Sequence, residues 1–126
     1  MNGRFDPETL DLLDKTQEVH IETRRDEDAP AHRTIVWVVV VDGEVFVRSM
    51  RGPKGRWYRE ISGNPTGALH AGDQRIPVRA APATDTPTTQ AVSDAFGSKY
   101  ERDWPGPTAA MLRPDALPTT LKLSPD

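Results

Sequence analysis

An apolar run at residues 33–41 constrains the fold more than any other segment. It ends at Asp42-Gly43, and a second β-rich run, residues 44–50, follows. An Asp-Gly pair between two such runs is a strong signal for a two-residue β-hairpin. Residues that face each other then have numbers that sum to 85: Val40 with Val45, Val38 with Val47, and Trp37 with Arg48. The last pair predicts a cation–π contact worth about 0.5–1 kcal/mol.

Both faces of the first strand are apolar. One face carries Ile35, Trp37, Val39 and Val41, and the other carries the valines between them. A strand that is apolar on both sides must be covered on both sides. One face can fill the inside of a barrel. The other face is covered either by the short helices of the same chain or by a second copy, and the second reading predicts a homodimer.

The other segments predict short helices and strands in alternation. Asp6-Pro7 is typical of a helix start. The predicted helices cover residues 7–15, 56–63 and 86–100; the further strands cover residues 18–24, 66–71, 74–79 and 119–123; residues 25–32 and 104–118 are predicted to be irregular. This order indicates a mainly β protein with flanking helices, a small antiparallel barrel that forms one domain over residues 1–126.

Composition excludes several classes of function. The chain has 126 residues, a formal net charge of -3 and no cysteine. Disulfides and thiolate chemistry are therefore excluded, and nucleic acid is not an expected partner. His20, His32 and His70 stand apart without metal-ligand spacing, so no metal site is expected. The acidic start and the lack of a long apolar segment predict a cytoplasmic protein without a membrane span.

One segment of this acidic chain is strongly basic. Residues 48–59 contain five cations and no acid, and they run from a strand end through a glycine-containing loop to a predicted helix start. Backbone N–H groups at a helix start, with arginine and lysine nearby, suit a phosphate. The adjacent Trp57 and Tyr58 offer a flat surface for a ring system. The alternative is that the cations balance nearby acids and that the two aromatic residues belong to the core.

The same residues carry a family resemblance. Residues 37–49, the basic loop, Arg56-Trp57-Tyr58-Arg59 and later Lys99-Tyr100 resemble the DUF2255 family over most of the chain, from about residue 5 to residue 125. That family is similar to the FMN-binding split barrels, which include pyridoxamine-phosphate oxidase-like proteins and deazaflavin-dependent nitroreductases. The segment from Trp57 to Pro65 is similar to a stretch of the deazaflavin-dependent members.

The resemblance implies a six-stranded antiparallel split β-barrel that forms a homodimer, with a cofactor in a groove near the subunit interface. It implies FMN or F420 as the cofactor and an oxidoreductase-like activity on an unknown substrate. The residues that match the cofactor-binding region are Arg48, Ser49, Arg51, Lys54, Arg56, Trp57 and Tyr58. Two alternatives remain: a non-catalytic module that binds a phosphorylated or anionic ligand, and a structural dimer whose basic loop makes only internal ion pairs.

Overall fold

Six antiparallel strands close into one barrel in a computed structural model, which describes residues 4–126. The strands are β1 (Glu18–Thr23), β2 (His32–Val41), β3 (Glu44–Val47), β4 (Thr66–Ala71), β5 (Gln74–Pro82) and β6 (Leu121–Pro125). Around the barrel they follow the order β1-β2-β3-β6-β5-β4. The predicted mainly β architecture, an antiparallel six-stranded barrel, is confirmed.

Four α-helices flank the barrel within the described residues. They are α1 (Pro7–Lys15), α2 (Arg56–Gly63), α3 (Thr86–Tyr100) and α4 (Pro105–Met111), and 3-10 turns cover Gly52–Lys54 and Leu117–Thr119. Helices α1 and α3 begin as the sequence predicts, since the carboxylates of Asp6 and Asp85 each accept a backbone N–H three residues on. No helix of residues 4–126 has the length and hydrophobicity to cross a membrane.

The β2–β3 hairpin has the predicted register. Asp42 and Gly43 both have positive φ, at 51° and 77°, as the tight turn of a twisted hairpin requires. Val38 faces Val47 and Val40 faces Val45. The predicted contact between Trp37 and Arg48 is wrong, because β3 ends at Val47.

The two side chains of that failed pair have other ring partners. Trp37 stacks on Tyr100 with parallel rings 4.0 Å apart, and the Arg48 guanidinium lies 5.5 Å from the centre of the Phe96 ring. Both aromatic partners belong to α3. The cation–π interaction of Arg48 is therefore made with the covering helix and not across the hairpin.

The two faces of β2 belong to two hydrophobic clusters. Val36 and Val38 point into the barrel, together with residues of the other strands and of α1 and α2. Trp37 and Val39 lie outside, where Val92, Phe96 and Tyr100 of α3 and Met111 of α4 cover them. Helices of the same chain thus bury much of the outer face, but Ile35 remains 55% exposed.

The sequence prediction differs from the structure most at one helix; in addition, the last strand begins at Leu121 and not at residue 119. Residues 105–111, expected to be irregular, form α4. Two prolines and a glycine in seven residues give this segment a low helix propensity, but Pro105 at the first helical position fits the requirement of a helix start. Burial of Ala110 and Met111 against the barrel supplies the stabilisation that the local sequence lacks.

Two neighbouring residues at the end of α3 tie it to β2. The fully buried Tyr100 hydroxyl lies 2.6 Å from the carbonyl oxygen of Gln17 and accepts the N–H of Val38 at 3.2 Å. The Lys99 ammonium donates to the carbonyl oxygens of Leu13 and Val38 at 2.9 and 2.7 Å. Burial lowers the pKa of Lys99 to about 8 and raises that of Tyr100. Both side chains have structural roles here.

We predict that Tyr100→Phe lowers the free energy of unfolding by about 1–2 kcal/mol, because the buried Val38 N–H loses its acceptor. The measurement is chemical denaturation followed by tryptophan fluorescence. Tyr58→Phe is the matched control, since the half-buried Tyr58 hydroxyl makes no hydrogen bond within residues 4–126. Equal effects of the two substitutions would contradict this role of the Tyr100 hydroxyl.

Candidate functional site

The basic segment forms a tight passage between β3 and α2. The chain turns back at Gly52, whose φ of 69° favours glycine, and the Gly52 N–H donates to the carbonyl oxygen of Ser49 at 3.0 Å. One 3-10 turn later, Gly55 precedes the first residue of α2. No side chain caps this helix start. Its first N–H groups therefore keep the positive end of the helix without a side-chain acceptor.

Ser49 is the most informative residue of this passage. Its side chain is 1% exposed, and its Oγ has no hydrogen-bond partner. Buried polar atoms of native proteins nearly always have a partner, so an orphan hydroxyl indicates a missing ligand or water. A Cβ on Gly55 would lie only 2.5 Å from this Oγ. The absence of a side chain at Gly55 thus makes room for the Ser49 hydroxyl beside the start of α2.

Arg48 directly precedes Ser49 in the chain, and it too is 1% exposed. Its guanidinium has four internal acceptors: Thr120 Oγ1 at 2.7 Å, the Thr89 carbonyl oxygen at 2.8 Å, Ser93 Oγ at 2.9 Å and the Met111 carbonyl oxygen at 3.2 Å. Four of its five N–H groups are therefore engaged.

The charge of Arg48 is not neutralised within the described chain. No carboxylate of residues 4–126 lies within 4.0 Å of its nitrogens. Burial lowers the pKa of Arg48 to about 10, so the group stays protonated at neutral pH. A positive charge without a counter-ion is thus buried at the residue next to Ser49, and both residues line the same cavity, where such a charge favours an anion.

A cavity of about 770 Å³ opens in front of these residues. This volume is in the usual range for small-molecule sites. Its polar wall carries Glu18, Ser49, Arg51 and Arg56, and its apolar wall includes Ile35, Trp37, Trp57, Trp104 and Met111. A concave pocket lined both by apolar rings and by arginines is suited to a flat ring that carries an anionic group.

Five of the seven predicted site residues line this cavity: Arg48, Ser49, Arg51, Arg56 and Trp57. Lys54 and Tyr58 do not. Lys54 is exposed on the 3-10 turn, and Tyr58 packs against the barrel cluster, edge-on to Trp57 with ring centres 6.2 Å apart. Trp57 combines both predicted roles, since it is 6% exposed, belongs to the barrel cluster and borders the cavity.

The structure does not support the alternative in which the basic loop makes internal ion pairs. Within residues 4–126, none of the five cations of the segment 48–59 lies within 4.0 Å of a carboxylate oxygen. Arg51 and Arg56 are exposed, and both line the cavity. Their charges are thus available to a ligand.

Sequence reasoning missed the far wall of the cavity. Trp104 and Pro107 come from the segment expected to be irregular. For Ile35 the sequence predicts only that it lies on an apolar face of the first strand, which another element must cover. The exposure of Ile35, Met50 and Trp104, at 55%, 41% and 46%, marks them as a cluster of large apolar side chains around one opening. Hydrophobic periodicity gives no signal for this cluster, because its members lie on three different segments.

The family model described as "Uncharacterized protein conserved in bacteria (DUF2255)" matches residues 9–123. The chain belongs to the DUF2255 family. The family resemblance of the sequence is thereby confirmed. No curated protein matches the chain.

Solved structures show the same fold at low sequence identity. HutZ, the heme storage protein from Vibrio cholerae, has a TM-score of 0.65 at 15% identity over 98% of this chain and 91% of its own. A putative pyridoxamine 5'-phosphate oxidase from Listeria innocua has 0.61 at 13%, over 94% and 90%. An F420-H2 dependent reductase has 0.60 at 14%, over 85% and 92%. These likenesses show that this DUF2255 chain has the split-barrel fold.

We predict that Gly55→Ala destabilises the chain, because the added methyl group collides with Ser49 Oγ. In a Ser49→Ala background the same change should cost at least about 1 kcal/mol less, since neighbouring residues couple. Denaturation of the four chains of this double-mutant cycle measures the difference. An identical cost in both backgrounds would show that the two residues do not meet.

Proposed function

We propose that this DUF2255 chain binds a flavin-type cofactor, FMN or F420, in the 770 Å³ cavity and acts as an oxidoreductase-like protein. The observation that carries the proposal is the unpartnered, buried Ser49 Oγ at the uncapped start of α2. The cofactor phosphate accepts from this hydroxyl and from the first N–H groups of the helix. Arg51 and Arg56 supply its counter-charges.

The apolar wall supports a ring at the other end of the cavity. Trp57 and Trp104 line it, together with Trp37, whose other face stacks on Tyr100. Tryptophan side chains bury a large area of a flat ligand and exclude water from it. When bound, the ring of FMN or F420 supplies the hydride-transfer chemistry, and the protein contributes binding, orientation and electrostatics.

The set of lining residues favours a flavin-type ligand over a haem. No histidine lines the cavity within the described residues. His32 and His70 instead pair with the carboxylates of Glu60 and Glu22, at 3.1 and 2.7 Å. A phosphate-binding end, in contrast, matches FMN and F420 alike.

The test is titration of the pure protein with FMN and with F420, followed by cofactor fluorescence. We predict binding of one of them with a dissociation constant below about 1 mM. The double variant Arg51→Ala/Arg56→Ala should weaken this binding by about tenfold or more, because charge-assisted hydrogen bonds to phosphate are lost. Arg79→Ala on β5 is the control, since Arg79 is exposed and does not line the cavity.

The outcomes separate the proposal from the binding-module alternative. If neither cofactor binds, the flavin-type proposal is wrong. If neither binds but a phosphorylated metabolite raises the melting temperature and the double variant reduces that shift, the chain is a non-catalytic anion-binding module. If a cofactor binds equally well to the double variant, the phosphate lies elsewhere.

We also propose that the chain is a homodimer whose contact includes the rim of this cavity. Ile35, Met50 and Trp104 are exposed apolar side chains around one opening. Apolar side chains that cluster at one surface are typical of protein–protein contacts. A second copy placed here would cover Ile35 and would narrow the entrance to the cavity.

We predict that Ile35→Glu/Trp104→Glu converts the dimer to a monomer, which sedimentation or light scattering measures at micromolar concentration. Leu112→Glu, at an exposed apolar residue that does not line this cavity, is the control and should leave the dimer intact. A monomeric parent chain would contradict the dimer proposal.

A further inference from the structure

A second, smaller cavity of about 270 Å³ follows the outer face of α2. Arg56, Arg59, Glu60 and Gly63 line it from the helix, and Arg25 lines it from the segment after β1. The spacing of the four helical residues places them on one side of α2. Trp57 and Ile61, on the other side of the helix, are buried in the barrel cluster. The cavity is therefore a groove with basic side chains.

Two of the three positive charges of this groove, those of Arg56 and Arg59, have no carboxylate partner within residues 4–126. Arg56 and Arg59 are exposed, and neither makes an ion pair with residues 4–126. Arg25 donates through Nε to Asp26 at 3.0 Å, and the same carboxylate accepts the backbone N–H of Asp28 at 3.0 Å. Asp26 therefore partly neutralises Arg25, and the free charges of the groove are those of Arg56 and Arg59.

The one acid that lines the groove already has partners. Glu60 accepts the Thr23 hydroxyl at 2.8 Å and lies 3.1 Å from Nδ1 of His32. Its side chain is 10% exposed. Hydrogen bonds on the barrel side therefore hold this carboxylate, and the groove keeps an excess of guanidinium groups.

Arg56 joins the two cavities. It lines both the cofactor cavity and the groove, and it is the first residue of α2. With a rise of about 1.5 Å per residue, Arg59 lies about 4.5 Å farther along the helix axis. An anion held at the start of α2 therefore lies within a short covalent link of a second anion between Arg25 and Arg59.

We infer that the groove of Arg25, Arg56 and Arg59 is a second anion subsite, which takes a further phosphate or carboxylate of the same ligand. The inference rests on the proposed cofactor site and narrows its ligand class. The preferred ligand carries at least two anionic groups in sequence, the first at Ser49 and the second in the groove. A single phosphate, as in FMN, occupies only the first position.

The test compares three chains, the parent, Arg59→Ala and Arg79→Ala, for binding of FMN and of F420 with a carboxylate-bearing tail. Arg59→Ala should weaken F420 binding about tenfold and leave FMN binding within about twofold, because only the second anion loses a charge-assisted partner. Arg79→Ala should change neither. Inorganic phosphate and tripolyphosphate give a second readout, in which Arg59→Ala removes only the extra rise in melting temperature that tripolyphosphate produces.

Each result decides between the two proposals. If Arg59→Ala affects both cofactors equally, or neither, and leaves the response to tripolyphosphate unchanged, the second subsite is wrong and the cofactor proposal stands. If the parent chain binds neither cofactor, and phosphate and tripolyphosphate stabilise it equally or not at all, both proposals are wrong. If the parent chain binds neither cofactor but its response to tripolyphosphate depends on Arg59, the groove is an anion subsite without a flavin, and the cofactor proposal alone is wrong.

Discussion

The buried guanidinium of Arg48 is the interaction on which the arrangement of this molecule depends. It follows the last residue of β3 and donates to two positions of α3, to the end of α4 and to Thr120 just before β6. No other described side chain joins so many elements. A buried charge without a carboxylate partner costs free energy, and the four hydrogen bonds offset only part of that cost. The same group anchors the backbone just before Ser49, and its positive charge has no carboxylate partner nearby in the described chain. The residue that joins these elements is thus also one that lines the cavity.

A second contact on the outer face of the barrel has a related effect. The Trp37–Tyr100 stack joins β2 to α3, and the Tyr100 hydroxyl and the Lys99 ammonium hold the same helix to the backbone of β2. Because one face of Trp37 is occupied by Tyr100, the ring has little freedom while it borders the cavity. The apolar wall is therefore positioned before any ligand arrives, which reduces the entropy lost on binding.

The sequence predicts the local parts of this fold well. The hairpin at Asp42-Gly43, the helix start at Asp6-Pro7 and the chain order of helices and strands depend on short-range turn chemistry and on alternation, which one chain displays directly. The sequence-based prediction is wrong where long-range packing determines the local structure or the contact partner. Helix α4 contradicts its own propensity, and the partner of Arg48 is a ring of α3 and not a residue across the hairpin. The basic segment can be recognised in the sequence. The apolar wall with Trp104 cannot, since only the tertiary structure brings residue 104 to the same cavity as residue 49.

The electrostatics of the site explain why an acidic chain can have a cavity with a locally positive lining. The net charge of -3 describes the whole surface, but a ligand responds to nearby groups, since salt screens charges beyond about 10 Å. Around Ser49 these groups are the Arg48, Arg51 and Arg56 guanidiniums and the positive end of α2, with Glu18 as the acid that lines the cavity. Arg48 acts from a buried position, where its charge is screened less than that of an exposed arginine. Removal of the exposed arginines would therefore weaken an anion site without abolishing it, because the buried charge and the helix start remain.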